Sequence, residues 1–367
     1  MISLPLSQPF KSIYILYFIF KLPLQIVSLL VYYLPSSLRP IPEWKLRTCV
    51  VAPVLRSFFD YVEITGDQGF KQPTREKAKE RLALVQPTDD ELYSGILASP
   101  TIKPVSLTGL WDSNATAQSG SDKPRVVLHF PGGGFTYAYD PYQSSQGVSQ
   151  IMKHMRGART LFAQYRLATV PNGRFPAAIQ DALTFYNYVL RSGVDPRDVI
   201  LLGDSAGGNI VIALLRYLET SHKLPLPGAV MLWSPWVNIT EDVPGQYTGC
   251  HNLGIDYVTT SVLQVGAQKY IPEGGITTEI APFLSPLRYP FKTNVPIFVH
   301  AGAAEVFYDE IKDFVHAMSE IQGNRMRFHP TKFAPHDILL SHGVVGFTEQ
   351  AEAAMKDAAD YLDGAST

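Results

Sequence analysis

The chain has 367 residues, 46% of them apolar and 17% charged, with a net charge of −2. This is enough length and apolar content for a large core, and without a dense Lys/Arg run it excludes a nucleic-acid-binding protein. Its two cysteines, Cys49 and Cys250, lie far apart without ligand spacing, so neither a disulfide framework nor a zinc site is implied.

The first distinctive stretch is Ser12 to Leu34, which is almost wholly apolar and rich in aromatic residues. It is long enough to cross a hydrocarbon core, which takes about 20 residues. Lys21 and Pro23 stand at its middle, and a lysine at mid-bilayer costs about 2.5–3.5 kcal/mol. Three readings stay open: a spanning anchor, a helix lying in the membrane interface, or a helix covering a soluble body. Membrane association through residues 12–34 is the favoured expectation. No small-residue cleavage site follows, which argues against a removed signal peptide. Two glycosylation sequons, at Asn114 and Asn238, matter only if the body is luminal.

Thr74 to Leu84 reads as a charged amphipathic helix, Leu107 to Trp111 as a strand, and Ser113 to Lys123 as an exposed loop. From Arg125 an alternation of strands and helices begins. Strands are expected at Arg125–Phe130, Thr160–Arg166, Asp198–Leu202, Ala229–Trp233, Val295–His300 and Met326–Phe333. Helices are expected near Ser144–Met155, Pro176–Arg191, Asn209–Leu218, Phe307–Ile321 and Gly346–Leu362. Val237 to Pro290, with many Gly, Pro and aromatic residues, interrupts the rhythm. Such alternation implies an α/β fold with a mostly parallel sheet covered on both faces.

Leu201-Leu202-Gly203-Asp204-Ser205-Ala206-Gly207-Gly208 sits where an apolar strand gives way to a helix. Alone, G-x-S-x-G also fits an ordinary turn. In this context it lifts a serine hydroxyl above a sheet and places it at a helix N-terminus. A serine hydroxyl needs a base, and the base needs an orienting acid. Functional groups of an open α/β sheet gather at the carboxyl ends of its strands. Past the strand ending at His300, Glu305 stands at the mouth of the next helix, while Asp309, Glu310 and Asp313 are expected to face solvent. Past the strand near Phe333 comes His336, with His342 as the alternative base and His329 as a packing residue within the strand. The order Ser205, Glu305, His336 is that of an α/β-hydrolase triad. An oxyanion hole needs backbone N–H donors, for which Gly132, Gly133 and Ala206 are the candidates. Phe135, Tyr137 and Tyr139 either wall an apolar pocket or belong to the core.

Several ordered motifs now carry a family resemblance. Phe130-Pro131-Gly132-Gly133-Gly134-Phe135 resembles the H-G-G-G loop of the hormone-sensitive-lipase-like esterases. Tyr165-Arg166-Leu167-Ala168, Phe175-Pro176-Ala177-Ala178 and Asp181 resemble that family's Y-R-L-A…F-P-A-A…D block, and Ser234-Pro235-Trp236 the segment after its next strand. The likeness covers about residues 125–365. It implies an α/β-hydrolase core over 123–367, an apolar N-terminal segment at 1–48, and first strands with part of a cap at 49–122. The rest of the cap is implied at about 239–290. It also implies ester hydrolysis without metal or cofactor, a hydrophobic ester substrate such as an acetylated sterol, lipid or secondary metabolite, and an endoplasmic reticulum membrane. Two positions depart from the pattern. Pro131 replaces the loop histidine, and Glu305 stands where the family acid is usually Asp. An acyltransferase on the same triad and a ligand-binding pseudo-hydrolase are the alternatives.

Overall fold

The computed structural model of the chain describes residues 7–67, 69, 75–87, 89–112, 125–155 and 158–365. The strands are β1 (Leu82–Val85), β2 (Leu107–Trp111), β3 (Arg125–Phe130), β4 (Ala158–Gln164), β5 (Val199–Asp204), β6 (Ala229–Trp233), β7 (Ile297–Gly302) and β8 (Met326–Thr331). They form one sheet in the order β1-β2-β4-β3-β5-β6-β7-β8. The β1–β2 and β2–β4 pairs are antiparallel, and every pair from β4 to β8 is parallel. All six residues of β5 are buried, as expected of a central strand covered on both faces.

Twelve helices complete the described chain: α1 (Phe10–Tyr32), α2 (Leu46–Thr65), α3 (Arg75–Ala78), α4 (Pro141–Met152), α5 (Ala177–Arg191), α6 (Ala206–Ser221), α7 (Val243–Gln246), α8 (Thr260–Tyr270), α9 (Ala281–Leu284), α10 (Tyr308–Ser319), α11 (Ile338–Val345) and α12 (Thr348–Ala365). Helices α5 and α6 pack together against β3, while α12 packs on β7 and β8 and against α4. Short 3-10 turns fill several connections.

Four expectations need correction or limits. The helix read over Thr74–Leu84 ends early: only Arg75–Ala78 is α-helical, and Leu82–Leu84 belong to β1. Pairing with β2 buries Ala83 and Val85 on alternate positions, and that long-range gain outweighs the local helix signal. Helices α2, α7, α8, α9 and α11 are additional to the expected ones. The loop at Ser113–Lys123 and the Asn114 sequon lie outside the described residues. The other sequon residue, Asn238, is buried and donates through Nδ2 to Glu310 Oε1 at 2.7 Å, so the folded chain does not present it.

Helix α1 is long and apolar enough to cross a membrane by length and composition. It lies along α2, with Phe18 and Tyr61 rings 4.7 Å apart and Gln25 Nε2 donating to Pro53 O at 3.3 Å. The residues facing α2 recur with helical period and include Tyr14, Phe18, Lys21 and Gln25. The other face exposes Ile13, Leu16, Phe20, Leu24, Val27 and Val31 and carries no charged residue. Thus Lys21, placed at mid-segment by the sequence, lies on the inner side of the helix.

Candidate active site

The site begins where β5 ends. Ser205 follows directly, with φ 51° and ψ −119°, a combination that L-residues rarely adopt. The turn is held at both ends of Ser205: its N–H donates to Trp233 O, and its carbonyl accepts from Trp236 N, both at 2.9 Å. A Cβ on Gly203 would stand 2.3 Å from Gly207 O, and one on Gly207 only 1.9 Å from Phe130 O. Both glycines are therefore demanded by the crossing of strand, loop and helix. The Ser205 side chain does not cap α6, so its hydroxyl is left to other partners.

Glu305 lies three residues past β7 and is fully buried; His336 lies in the loop before α11 and is almost fully buried. They meet: His336 Nδ1 and Glu305 Oε2 are 2.9 Å apart. The two loops reach Ser205 through the residues beside it. Asp204 and Asp337, next to Ser205 and His336 respectively, are hydrogen-bonded through their carboxyl groups. The Asp337 N–H also donates to Ser234 Oγ at 3.0 Å, and the Ser234 hydroxyl faces Glu305.

Burial dominates the electrostatics. It pushes Glu305 up and lowers His336, because both charged forms lose solvation, whereas their 2.9 Å contact favours the Glu305 carboxylate once His336 takes a proton. The Asp256 carboxylate acts in the opposite sense on His336, favouring its imidazolium, as Asp337 does only when ionised. Burial also raises Asp204 to about 7, and it raises Asp337 well above the usual carboxylate range. The two carboxyl groups are hydrogen-bonded to each other, so the pair keeps a proton above the usual carboxylate range.

The glycine loop requires a correction. The Gly132 N–H donates to Asp204 Oδ2 at 2.7 Å and is not free for a substrate oxygen. Asp204 Oδ1 lies 2.6 Å from His129 Nε2, a buried imidazole that desolvation holds down at about 4. Asp204 thus anchors the loop from behind. Gly133 and Gly134 follow with φ 118° and 59°, and their N–H groups, like that of Ala206, donate to no backbone carbonyl among the described residues. The Pro131 carbonyl accepts from Tyr165 Oη at 2.7 Å, which fixes the loop start without the histidine of the family pattern.

Other expected residues fall elsewhere. His342 is buried on α11 with Thr348 Oγ1 and Gly147 O as partners, away from Glu305. His329 packs within β8 as expected, its ring beside those of Phe298 and His300, and it also pairs with Asp357 at 2.7 Å. Asp309 and Asp313 are exposed as expected, but Glu310 is not. It turns inward and accepts from Asn238, Gln246 and Tyr247, because the β6–β7 connection covers that side of α10. Phe135 is core, stacked on Tyr270 at 3.7 Å, whereas Tyr137 and Tyr139 line a small cavity beside Gly132. Asp204, Asp337, Ser234 and His129 were not among the expected site residues. Adjacency to Ser205 and His336 was the one available signal, and only for the two aspartates.

A serine on a strained strand–helix turn at the middle of a parallel sheet, with the acid past the end of β7 and the histidine past the end of β8, is the α/β-hydrolase arrangement. The family model for the α/β hydrolase fold matches residues 127–340, more than half of the chain, and the chain belongs to that family. An acetyl-hydrolase of Streptomyces hygroscopicus is 30% identical over 189 residues, 51% of this chain and 60% of its own length. An esterase of Acinetobacter venetianus is 26% identical over 240 residues, 63% of this chain and 73% of its own. Steryl acetyl hydrolase 1 of Saccharomyces cerevisiae is 28% identical over 121 residues, 31% of this chain and 27% of its own. The match therefore spans less than two thirds of the first and third of these relatives. An esterase from the bacterial hormone-sensitive lipase family shares the fold, with a TM-score of 0.61 at 20% identity over 94% of this chain and 98% of that one. Carboxyl esterase 2 of Tuber melanosporum does so with a TM-score of 0.59 at 17% identity, over 84% and 99%. The expected resemblance to hormone-sensitive-lipase-like esterases is borne out.

Proposed function

We propose that the protein is a serine carboxylesterase acting on hydrophobic esters through an acyl-enzyme. The observation that carries this is the 2.9 Å contact of His336 Nδ1 with Glu305 Oε2, in loops tied to the strained Ser205 turn. In this reading His336 takes the Ser205 proton as the hydroxyl oxygen attacks the ester carbonyl. Glu305 holds the Nδ1–H tautomer and stabilises the imidazolium. The N–H groups of Gly133, Gly134 and Ala206 receive the oxyanion. His336 then protonates the departing alcohol, and water cleaves the acyl-enzyme by the same steps. The chemistry draws only on side chains and backbone.

Helix α1 would rest in a membrane interface on its uncharged face, where Phe20 and Leu24 are each 70% exposed. Its run along α2 supports an interfacial lie over a helix projecting from the body. A site beside such a surface suits lipid-soluble substrates. The names of the acetyl-hydrolase and steryl acetyl hydrolase relatives favour acetyl esters among them. Helix α2 and the β6–β7 connection, including α8, would form the cap.

The experiment is hydrolysis of p-nitrophenyl esters of increasing chain length, with a fluorophosphonate label on wild type and Ser205→Ala. Wild type should hydrolyse short esters and take the label at Ser205, and the variant should lose both. A wild type that neither hydrolyses nor is labelled, or a variant labelled in full, would overturn the reading.

A further inference from the structure

The β6–β7 connection reaches the site through one buried carboxylate. Asp256 lies between the turn His251–Gly254 and α8, with no exposed surface. Its Oδ2 accepts from the Val306 N–H at 2.9 Å. Its Oδ1 accepts from the His336 N–H at 3.1 Å and from Tyr257 N–H at 2.8 Å. Val306 is the residue after Glu305. One carboxylate therefore grips the backbone beside both members of the His336–Glu305 pair. Its neighbours act on the same loops. Asn252 Nδ2 donates to Ala303 O at 3.1 Å and Glu305 O at 2.9 Å, and Tyr257 Oη donates to His336 O at 2.7 Å. Behind them stands α2: the Arg56 guanidinium donates to the Asp256 carbonyl, and the Phe59 ring stacks on Tyr257 at 6.0 Å.

All three groups that meet the Asp256 carboxylate are N–H donors. A carboxyl proton would find no acceptor among them, so this setting selects the ionised form. Burial opposes it and pushes the group up to about 6. Below that range Asp256 takes up a proton; above it a negative charge stands next to His336. The other groups facing His336 are Glu305 from the loop after β7, Asp337 on its own loop and the neutral His300 of β7. The rings of Tyr257 and Phe307 pack edge-on against the imidazole.

We propose that Asp256 is a positioning residue for the reaction: it fixes the loops of Glu305 and His336 against each other and adds a second negative charge to the imidazolium formed when Ser205 gives up its proton. This rests on the catalytic reading of Ser205, Glu305 and His336. A buried charge is expensive, and a neutral side chain could fill the same volume. Its three hydrogen bonds and its place beside both groups give it a purpose beyond packing. The substrate-covering segment thereby helps to build the base.

The test compares wild type with Asp256→Asn, which keeps the shape, removes the charge and leaves one acceptor oxygen of the two that the N–H groups meet. Wild-type hydrolysis and labelling at Ser205 report on the esterase reading alone. The Asp256 proposal is read separately, from His336 ring signals in histidine-labelled protein, identified by comparison with His336→Gln. Losing the carboxylate should lower the His336 titration midpoint by about 1 pH unit. The acid limb of kcat/KM on p-nitrophenyl acetate should move down in step, with kcat about tenfold lower and KM little changed. Should the variant fail to fold, wild type still decides: the amide signals of Val306, His336 and Tyr257 should titrate together with one midpoint. An unmoved His336 midpoint in folded Asp256→Asn, or amides that do not share a titration in wild type, would overturn the proposal. A loss of thermal stability alone, with the midpoint unchanged, counts against it too.

Discussion

The carboxylate of Asp204 accepts the Gly132 N–H at 2.7 Å, so the residue before Ser205 holds the loop that faces it. The same carboxylate meets His129 Nε2 at 2.6 Å, and both side chains are fully buried. Asp204→Ala would leave the Gly132 N–H, His129 Nε2 and the Asp337 carboxyl without their partner, each buried group costing about 1–3 kcal/mol. It would also free the loop to drift. Removing one oxyanion donor costs about 10²–10³ in kcat. Asp204→Ala is expected to fall within that range while KM changes little, and Asp204→Asn, which retains an acceptor, should be milder. Steady-state kinetics of both variants, with thermal unfolding alongside, checks this.

Glu305→Gln should lower kcat by about 10³–10⁴, since an amide neither stabilises imidazolium nor holds the right tautomer. Asp309→Asn should leave kcat near wild type because Asp309 is exposed. One short-chain ester and the two purified variants suffice. The assignment of Glu305 fails if the order of damage is reversed.

Asp337 offers a stability test with a definite sign. Unfolded, its carboxyl ionises near pH 4. Folded, burial and Asp204 hold it protonated well above that. Above pH 4 the folded state thus binds a proton that the unfolded state has released, and stability from this group falls as pH rises toward the folded pKa. Asp337→Asn removes that loss. Asparagine also tolerates the backbone at φ 45° and can cap α11 as Asp337 does toward Leu340 N. The variant should have a higher Tm than wild type at pH 8, with the gap closing below pH 4. Thermal unfolding across that range measures it; a gap that does not depend on pH would refute the proton assignment.

Phe20→Glu with Leu24→Glu places two charges on the outer face of α1 without touching its contacts with α2. If that face binds lipid, the double variant should lose flotation with phospholipid vesicles while retaining esterase activity on a soluble ester. Equal flotation of both proteins would mean that this face is not the membrane contact.

Much of the site was legible because its chemistry is carried by local patterns. G-x-S-x-G after an apolar strand marked Ser205, and the first acid and first histidine past the later strands marked Glu305 and His336. What those patterns lack is hydrogen-bond allocation. Three consecutive glycines look alike as donors until Asp204 is seen to occupy the N–H of the first. Glu310 looked solvent-facing because it lies in a charged helix, yet the β6–β7 connection folds over it. Asp256 carries no motif at all. Its role comes from reaching two loops that follow it by 50 and 80 positions along the chain.

The sequence by itself determined the order of strands and helices from Arg125 onward, the turn that exposes Ser205, and an apolar N-terminal helix. Each depends on periodicity or on a backbone demand met within a few residues. The tertiary structure decided the rest. It made Leu82–Val85 a strand, turned Lys21 away from the exposed face of α1, and joined Asp204 to Asp337. These depend on which distant surface each segment meets, and burial against that surface sets both the pairing partner and the cost of charge.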